Sequence, residues 1–275
     1  MDYSQYSLAK TGYLKEDFRL FHINDRTDRE FEWHYHDFHK IIVFVSGKVT
    51  YHIEGKAYQL KPQDILLVSQ GAIHKPEIDP SIPYERYIFW IRDDLSSPEL
   101  NTCFQKANDR SFNLIRLDSV LQEKLKDLLP EIEHSLRDTQ FGDSILSKAL
   151  FAQFMVYINR IFLKNSTAPD QKSYSSDSQV EQLLKYINRN LSENLSIDHL
   201  AERFFFSKYH MMRKFKKETG YTIHNYIISK RLLHARSLIT QGTPVMKAAM
   251  QSGFQDYTAF VRAYKKQFGT VPTQR

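Results

Sequence analysis

The feature that most constrains the fold is a short segment that occurs twice near the C-terminal end of the chain. The first copy is Ser207–Gly220 and the second is Asp256–Gly269. Each copy begins with a residue whose side-chain oxygen can cap a helix, and each ends with a glycine, which favours the left-handed conformation that terminates helices. The pairs that match at equal spacing are Tyr209 with Thr258, Arg213 with Arg262 and Phe215 with Tyr264. Internal repetition of this kind predicts one supersecondary unit used twice.

A second short helix is predicted in front of each copy. Ile197 and Ala201 lie on one face of the first, which Ser196 opens, and Val245 and Ala249 occupy the corresponding positions in the second. Two short helices joined by a tight turn, of which the second is basic, have the layout of a helix-turn-helix. That motif places its second helix in the major groove of DNA.

One long helix is predicted between the two units. The residues from Thr222 to Gln241 carry apolar side chains at helical spacing, and Gly242 and Pro244 then end the helix. Such a helix would hold the two units about one turn of DNA apart.

The charge of the chain is divided unevenly. From residue 180 onward there are 16 Lys and Arg residues against 6 Asp and Glu residues, a net charge of +10, whereas the preceding residues carry 22 against 26, a net charge of −4. This asymmetry predicts that the basic part binds a polyanion and that the acidic part has another task. A basic surface that is merely solvated is the alternative, and the repeated unit weighs against it.

Residues 180–275 resemble the DNA-binding domain of the AraC/XylS family of transcription regulators. The segments that carry the resemblance are LAERFFFSKYHMMRKFKKETG, YIISKRLLHARSLI and AAMQSGFQDYTAFVRAYKKQFGTVP. The chain departs from the family pattern at Ala248, which is small, and at Gln274-Arg275, where the family has an aromatic residue before the arginine.

The resemblance implies which side chains face DNA. They are Ser207, Lys208, Tyr209, Met212, Arg213 and Lys217 in the first unit and Tyr257, Thr258, Arg262 and Lys265 in the second. Arg213 and Arg262 are the expected readers of guanine, because a guanidinium group matches the O6 and N7 atoms of that base. The alternative is that both arginines contact only phosphate, as the neighbouring lysines are expected to do.

The pattern between Phe31 and about Arg92 predicts strands separated by tight turns. The segments HKIIVFV, KVTYHIEG, KAYQL, DILLVS and ERYIFWI are short and rich in β-branched and aromatic residues. Strands at such regular spacing are typical of a small sandwich or barrel. Residues 20–95 resemble the cupin barrel, the usual N-terminal sensor of the AraC family, through His34-x-His36, Gly47, Pro62-x-Asp64 and Gly71-x-x-His74. Residues 1–32 are expected to add an entering strand or an arm.

Three histidines of this barrel are candidates for a binding site. In metal-binding cupins, two His, a Glu and a later His converge on a cation, and His34, His36 and His74 occupy the histidine positions. Lys40 stands where the Glu would be, and a protonated lysine repels a cation and offers it no lone pair. His39 lies one position away, on the opposite face of a regular strand. No metal is therefore expected, and the histidines either pack structurally at the barrel mouth or line a pocket for a small molecule.

The candidate pocket residues are His34, His36, Lys40, His74, Arg86 and Trp90. Cationic and imidazole groups around one cavity suit an anionic or polyhydroxylated ligand such as an organic acid or a sugar. The alternative for Arg86 is a surface ion pair with Glu85 or Glu77.

Two helices are expected after the barrel. The segment VLQEKLKDLLPEIEHSLRD contains Pro130, which should kink or divide its helix, and ILSKALFAQFMVYINRIFL is apolar on nearly every face. The second helix is expected to form a dimer contact, to pack against the barrel, or both. Residues 93–117 are expected to be irregular.

The predicted fold class is α+β and multidomain. Residues 1–163 form an N-terminal cupin-like β-barrel (about 20–95) with a helical dimerisation segment (about 118–163), residues 164–179 form a linker, and residues 180–275 form a C-terminal all-α tandem helix-turn-helix domain. The chain has a single cysteine, Cys103, and no apolar run of signal-peptide or membrane-span length, so we expect a cytoplasmic protein.

These features together predict a transcription regulator rather than an enzyme. The expected partners are promoter DNA, a small-molecule effector, RNA polymerase and a second copy of the chain, and no cofactor is expected. A metal-dependent cupin enzyme and a regulator whose barrel binds no effector are the alternatives.

Overall fold

A computed structural model describes residues 14, 16–26, 30–93, 95, 97–137, 139–164 and 175–273. The predicted linker lies mostly outside these residues, and so does the Gln274-Arg275 pair. The described end of the linker forms a short strand and the start of a helix.

The N-terminal half is built on two antiparallel sheets. Its strands are β1 Phe18–Asp25, β2 His39–Ser46, β3 Val49–Ile53, β4 Lys56–Gln59, β5 Ile65–Val68, β6 His74–Ile78, β7 Tyr84–Ile91, β8 Leu114–Ile115 and β9 Ser175–Ser176. The first sheet has the order β1-β7-β2-β5-β8, and the second has the order β6-β3-β4-β9. The five predicted strands are confirmed as β2, β3, β4, β5 and β7, and β1 is the entering strand.

Strand β2 lies between two apolar layers. Ile41 and Val43 belong to a core that the first sheet shares with helices, whereas Ile42 and Phe44 belong to the core between the two sheets. Neighbouring residues of a strand point to opposite faces, so a strand covered on both sides has a continuous apolar sequence. The same alternation places Lys40 on the face that looks into the barrel.

Helices cover the outer face of the first sheet. They are α1 Thr102–Arg110, α2 Ser119–Ser135 and α3 Asp143–Lys164. The prediction that residues 93–117 are irregular is wrong, because they contain α1, a turn of 3₁₀ helix and β8. Helix α1 buries only Cys103, Phe104 and Ala107, so its apolar stripe is too short to stand out in the sequence.

Helix α2 runs without interruption through Pro130, so of the two predicted effects of this proline, a kink or a division, the division is wrong. Proline lacks the N–H that would bond to the preceding turn. Leu128, Leu129 and Ile132 are buried on both sides of it. Their packing against the domain core keeps the two parts of the helix together.

Helix α3 is long and apolar enough to cross a membrane by length and composition alone. Its residues Leu150, Phe154, Met155 and Ile158 are instead buried in the core beneath the first sheet. One side of the helix is therefore packed in the core of the N-terminal half.

The C-terminal half consists of helices α4 Ser178–Arg189, α5 Ile197–Arg203, α6 Lys208–Thr219, α7 Ile223–Thr240, α8 Val245–Gln251 and α9 Tyr257–Phe268. The predicted caps are confirmed: the Ser207 hydroxyl accepts a hydrogen bond from the His210 amide, and the Asp256 carboxylate accepts from the Thr258 and Ala259 amides. Gly220 and Gly269 both have a φ of 74°. The single long helix between the units is confirmed as α7, whereas α4 was not predicted.

Candidate nucleic-acid interface and effector site

The second helices of the two repeated units, α6 and α9, both expose basic side chains. All ten side chains that the sequence assigned to DNA are exposed, namely Ser207, Lys208, Tyr209, Met212, Arg213, Lys217, Tyr257, Thr258, Arg262 and Lys265. Tyr209 is 71% exposed although it is aromatic, and its ring lies 5.8 Å from the Arg213 guanidinium. An exposed aromatic residue beside an arginine suits contact with a base edge better than it suits solvent.

Helix α7 joins the cores of the two units. Its first half contributes Tyr226 and Ile227 to the core around Phe215, and its second half contributes Leu232 and Ile239 to the core around Phe260. A continuous helix anchored at both ends holds α6 and α9 at a fixed separation.

The turn before the second helix differs between the units. Phe205 has a φ of 55° and is 97% exposed, whereas Gly253 has a φ of 88° and is packed against its surroundings. A bulky residue with a positive φ is strained, so the first unit keeps its side chain there at an energetic cost.

The barrel brings three of the candidate effector residues into one cluster. The rings of His34, His36 and His74 lie within 5.2 Å of one another, measured between centroids. The buried Lys40 ammonium nitrogen lies 3.2 Å from His74 Nε2. His34 and His74 each place Nδ1 against a backbone carbonyl, of Glu32 and Ala72 respectively, so each can present Nε2 to the cluster.

Burial gives this cluster unusual protonation states. Desolvation, with a smaller contribution from Arg86, lowers the pKa of Lys40 to about 7. Desolvation and the nearby Lys40 lower the pKa of His36 and His74 well below the usual value, so both imidazoles are neutral at neutral pH. The buried His36 Nδ1 has no hydrogen-bond partner among the described residues. A ligand with negative charge or hydroxyl groups would satisfy that nitrogen and favour a charged Lys40.

Trp90 and Arg86 share the face of β7 that looks into the barrel. Trp90 lies opposite Lys40 in the sheet, and its ring packs near His36 and Phe38. Arg86 is buried, pairs with Asp25 and donates to the Tyr84 carbonyl oxygen. The alternative of a surface pair with Glu85 or Glu77 is therefore wrong.

The histidine cluster also has the donor set of a transition-metal site. The ligand atoms of His34, His36 and His74 all lie within 4.8 Å of one another. The place of the carboxylate in a metal-binding cupin is taken by Lys40, as the sequence indicated, and a lysine is a poor neighbour for a cation. His39 faces the other way, since its Nε2 atom bonds to Asp93 and its ring stacks on Phe104.

Sequence reasoning missed several residues at this site. Tyr51 and Tyr84 are buried inside the barrel beside His74 and Arg86 respectively, whereas Asp25 is exposed at the end of β1 and pairs with Arg86. Tyr84 and Arg86 are two apart on one strand, so strand alternation could have placed them together. Asp25 and Arg86 are on different strands, and only the sheet register brings them together.

Two family models match the chain, one in each half. Residues 19–155 match the AraC-like ligand binding domain, and residues 200–275 match a helix-turn-helix domain. The chain belongs to the AraC family of transcription regulators. In this family assignment the N-terminal half is the ligand-binding domain and the C-terminal half is the DNA-binding domain.

Proteins that are similar to this chain over most of its length are named as transcription regulators. The HTH-type transcriptional activator RhaR of Mannheimia succiniciproducens is 23% identical over 246 residues, covering 89% of this chain and 86% of the relative. The uncharacterized HTH-type transcriptional regulator YbfI of Bacillus subtilis is 25% identical over 233 residues, covering 83% of this chain and 80% of the relative. Among solved structures, ToxT from Vibrio cholerae O395 matches with a TM-score of 0.38 and 15% identity, covering 94% of this chain and 96% of that one. The assignment to the AraC family rests on the two family models.

Proposed function

We propose that a small anionic or polyhydroxylated molecule, such as an organic acid or a sugar, binds in the barrel of this AraC-family regulator and controls its engagement of promoters. The observation that carries the proposal is the buried cluster of Lys40, His36 and His74 beside Trp90, which offers cationic and neutral hydrogen-bonding groups and in which no carboxylate of the described residues pairs with Lys40. A thermal-shift screen of organic acids and sugars tests it, because a ligand that binds only the native state raises Tm. A compound that stabilises the wild-type chain but not Lys40→Met would support the site, and a screen without any stabilising compound would favour a regulator whose barrel binds no effector.

We further propose that both second helices read base sequence. The exposure of the ten side chains and the fixed spacing along α7 support this. Selection of bound sequences from random DNA with the full chain should enrich two short boxes about one helical turn apart. Binding to all sequences alike, with strong salt dependence, would instead show that the basic surface only clamps phosphate.

Arg262→Ala is expected to weaken binding to the selected DNA by about 1–3 kcal/mol and to relax preference at one base pair, because the guanidinium group reads a guanine there. The matched control is Lys265→Ala, one turn further along α9, which should weaken binding about equally on all sequences through loss of a phosphate contact. Affinities for the selected site and its single-base variants, measured at one salt concentration, check both expectations. A uniform loss for Arg262→Ala would show that this arginine contacts phosphate only.

We propose that the protein acts in the cytoplasm as a homodimer and contacts RNA polymerase. The relatives named RhaR and RhaS are transcriptional activators, which supports contact with the polymerase. Phe141, Ile145 and Leu146 are exposed apolar residues at and before the start of α3, which supports a dimer contact there. Sedimentation of the wild-type chain and of Ile145→Glu would test the dimer.

A metal-dependent cupin enzyme is the competing proposal, and the three clustered histidines are the observation that favours it. Stoichiometric metal in the purified protein that is lost in His74→Ala would support that alternative. The names of the relatives and the position of Lys40 support a regulator without enzymatic activity.

A further inference from the structure

A thin layer of backbone separates the histidine cluster from the DNA-binding domain. We call it the partition; it consists of residues 33–37 and 73–74. The two segments are joined by a pair of backbone hydrogen bonds, His34 N to His74 O at 3.1 Å and His74 N to His34 O at 2.9 Å. Because alternate residues of extended chain point in opposite directions, the partition has two faces with different contacts.

The inner face of the partition is the histidine cluster itself. His34, His36 and His74 point into the barrel, where they meet one another and Lys40. Any ligand that binds this cluster therefore binds side chains of the partition directly.

The outer face of the first segment docks on the DNA-binding domain. The Trp33 ring packs so closely on the C-cap of α6 that a Cβ atom on Gly220 would lie 2.3 Å from Trp33 Cδ1. The Asp37 carboxylate, whose side chain is only 6% exposed, accepts a hydrogen bond from Arg236 of α7 at 2.8 Å. Tyr35 lies between them and packs against the cores of both helix-turn-helix units.

The second segment docks in the same way. Ile73 is buried in the core of the first helix-turn-helix unit, although its neighbour His74 faces the barrel. Glu54 accepts a hydrogen bond from the Ile73 amide at 2.9 Å and another from Lys230 of α7 at 2.8 Å. It also accepts a hydrogen bond from the Tyr226 hydroxyl. Both halves of the partition thus reach α7, the helix that sets the spacing of the two DNA-reading helices.

We propose that the partition transmits ligand binding in the barrel to the DNA-binding domain, by coupling the positions of His34, His36 and His74 to the docking of Trp33, Tyr35, Asp37 and Ile73 on α6 and α7. The inference rests on the proposed control by a small molecule and specifies how that control operates. Residues that alternate along one backbone segment share its displacements, so a ligand that shifts the backbone through the inner side chains also shifts the outer ones. The coupling is reciprocal, because a ligand that favours one docking arrangement must bind more tightly when that arrangement is present.

The two tryptophans of the chain allow the coupling to be measured without an identified ligand. Trp33 lies on the outer face of the partition, and Trp90 lies inside the barrel. In a Trp90→Phe background the emission of Trp33 reports docking on α6. The probe of the inner face is a substitution, His36→Ala, with His36→Gln as a milder second variant. The matched control is His22→Ala, which removes a histidine that bonds to Glu85 and Glu133, away from the partition.

We expect both His36 variants to shift the Trp33 emission and to change the affinity of the full chain for its selected DNA by about fivefold or more, the usual lower range for coupled sites. The DNA effect should fall below about twofold when Tyr35→Ala is already present, because the docking that transmits it has been removed. His22→Ala should change neither signal.

Unchanged Trp33 emission in both His36 variants would overturn the inference, and so would a DNA effect of equal size with and without Tyr35→Ala. Because the emission is measured without DNA, it tests the coupling even in a chain that binds DNA weakly. Normal sequence-specific DNA binding without coupling would overturn this inference but not the proposed function. Failure of every candidate compound to stabilise the protein would instead count against control by a small molecule.

Discussion

Replacing Lys40 by methionine is expected to stabilise the folded protein by about 4 kcal/mol at pH 7, because it removes a buried amine whose charged form is disfavoured. The pKa of Lys40 is lowered from 10.5 to about 7 in the folded state. Between these two values the unfolded chain binds a proton that the folded chain does not, so the stability of the wild-type protein rises with pH across this window. Below about pH 7 Lys40 is protonated in both the folded and the unfolded state. The full free-energy cost of burying the charged amine then lowers the stability of the wild-type protein.

The histidines and tyrosines around Lys40 do not change their protonation state within this pH window. His36 and His74 have pKa values lowered below the usual range, and they are therefore already neutral at pH 7. Burial raises the pKa of Tyr84 to about 12 and raises that of Tyr51 as well, so both phenols stay protonated.

Urea unfolding of wild type and Lys40→Met at pH 7, 8, 9 and 10 checks the expectation: the stability difference should be largest at pH 7 and shrink as the pH rises. Lys48→Met is the matched control, since the Lys48 side chain is 74% exposed and its loss should leave the pH profile unchanged. Parallel profiles for wild type and Lys40→Met would show that Lys40 is charged in the folded protein throughout this range.

Gly253→Ala is expected to destabilise the DNA-binding domain by about 3 kcal/mol or more and to abolish sequence-specific binding. An added Cβ would lie 2.2 Å from the Leu191 carbonyl oxygen and 2.8 Å from Arg231 Nε. Arg231 cannot easily yield, because its Nε donates to that same carbonyl oxygen. The second helix-turn-helix would therefore have to open at its turn.

Gly242→Ala provides the control for the backbone conformation. Its φ of 91° is close to that of Gly253, yet nothing lies within 4 Å of an added Cβ. The cost should be only about 1 kcal/mol, which is the penalty for a positive φ in a residue with a side chain. Thermal unfolding and DNA affinity of the two variants distinguish a steric clash of the added Cβ from backbone strain. Equal losses of stability and affinity in the two variants would contradict the close packing at Gly253.

The helical half was predictable because its signals are local. The caps at Ser207 and Asp256 and the glycines at Gly220 and Gly269 act within one turn of the helix they bound. The different packing at Phe205 and Gly253 was not predictable, because it depends on residues distant in sequence, such as Leu191 and Arg231. Only the packing shows that one turn points its side chain into solvent while the other has no room for it.

The barrel and its contacts were predictable only in part, because their determinants are distant in sequence. Strand alternation places Lys40, Arg86 and Trp90 on one face. It does not show that Arg86 pairs with Asp25, which depends on the register of β1 and β7. Strand β6 was not predicted, because it begins at His74 and contains Pro76, and proline is unusual within a strand. The docking of Glu54 on α7 joins residues more than a hundred positions apart, and no local pattern reports it.

Because the partition is thin, ligand preference and regulatory output are linked. If the two domains were fully separate, each of these properties could change independently. His36 is the neighbour in the chain of Tyr35 and Asp37, so a substitution that adapts the barrel to a new ligand also disturbs a residue docked on α7. Ligand preference and regulatory output must therefore evolve together in this protein. For the same reason, a chimera joined within residues 164–179 would pair a barrel with a foreign α7. It would be expected to respond to its ligand only if the partners of Tyr35, Asp37 and Glu54 on that helix were carried across as well.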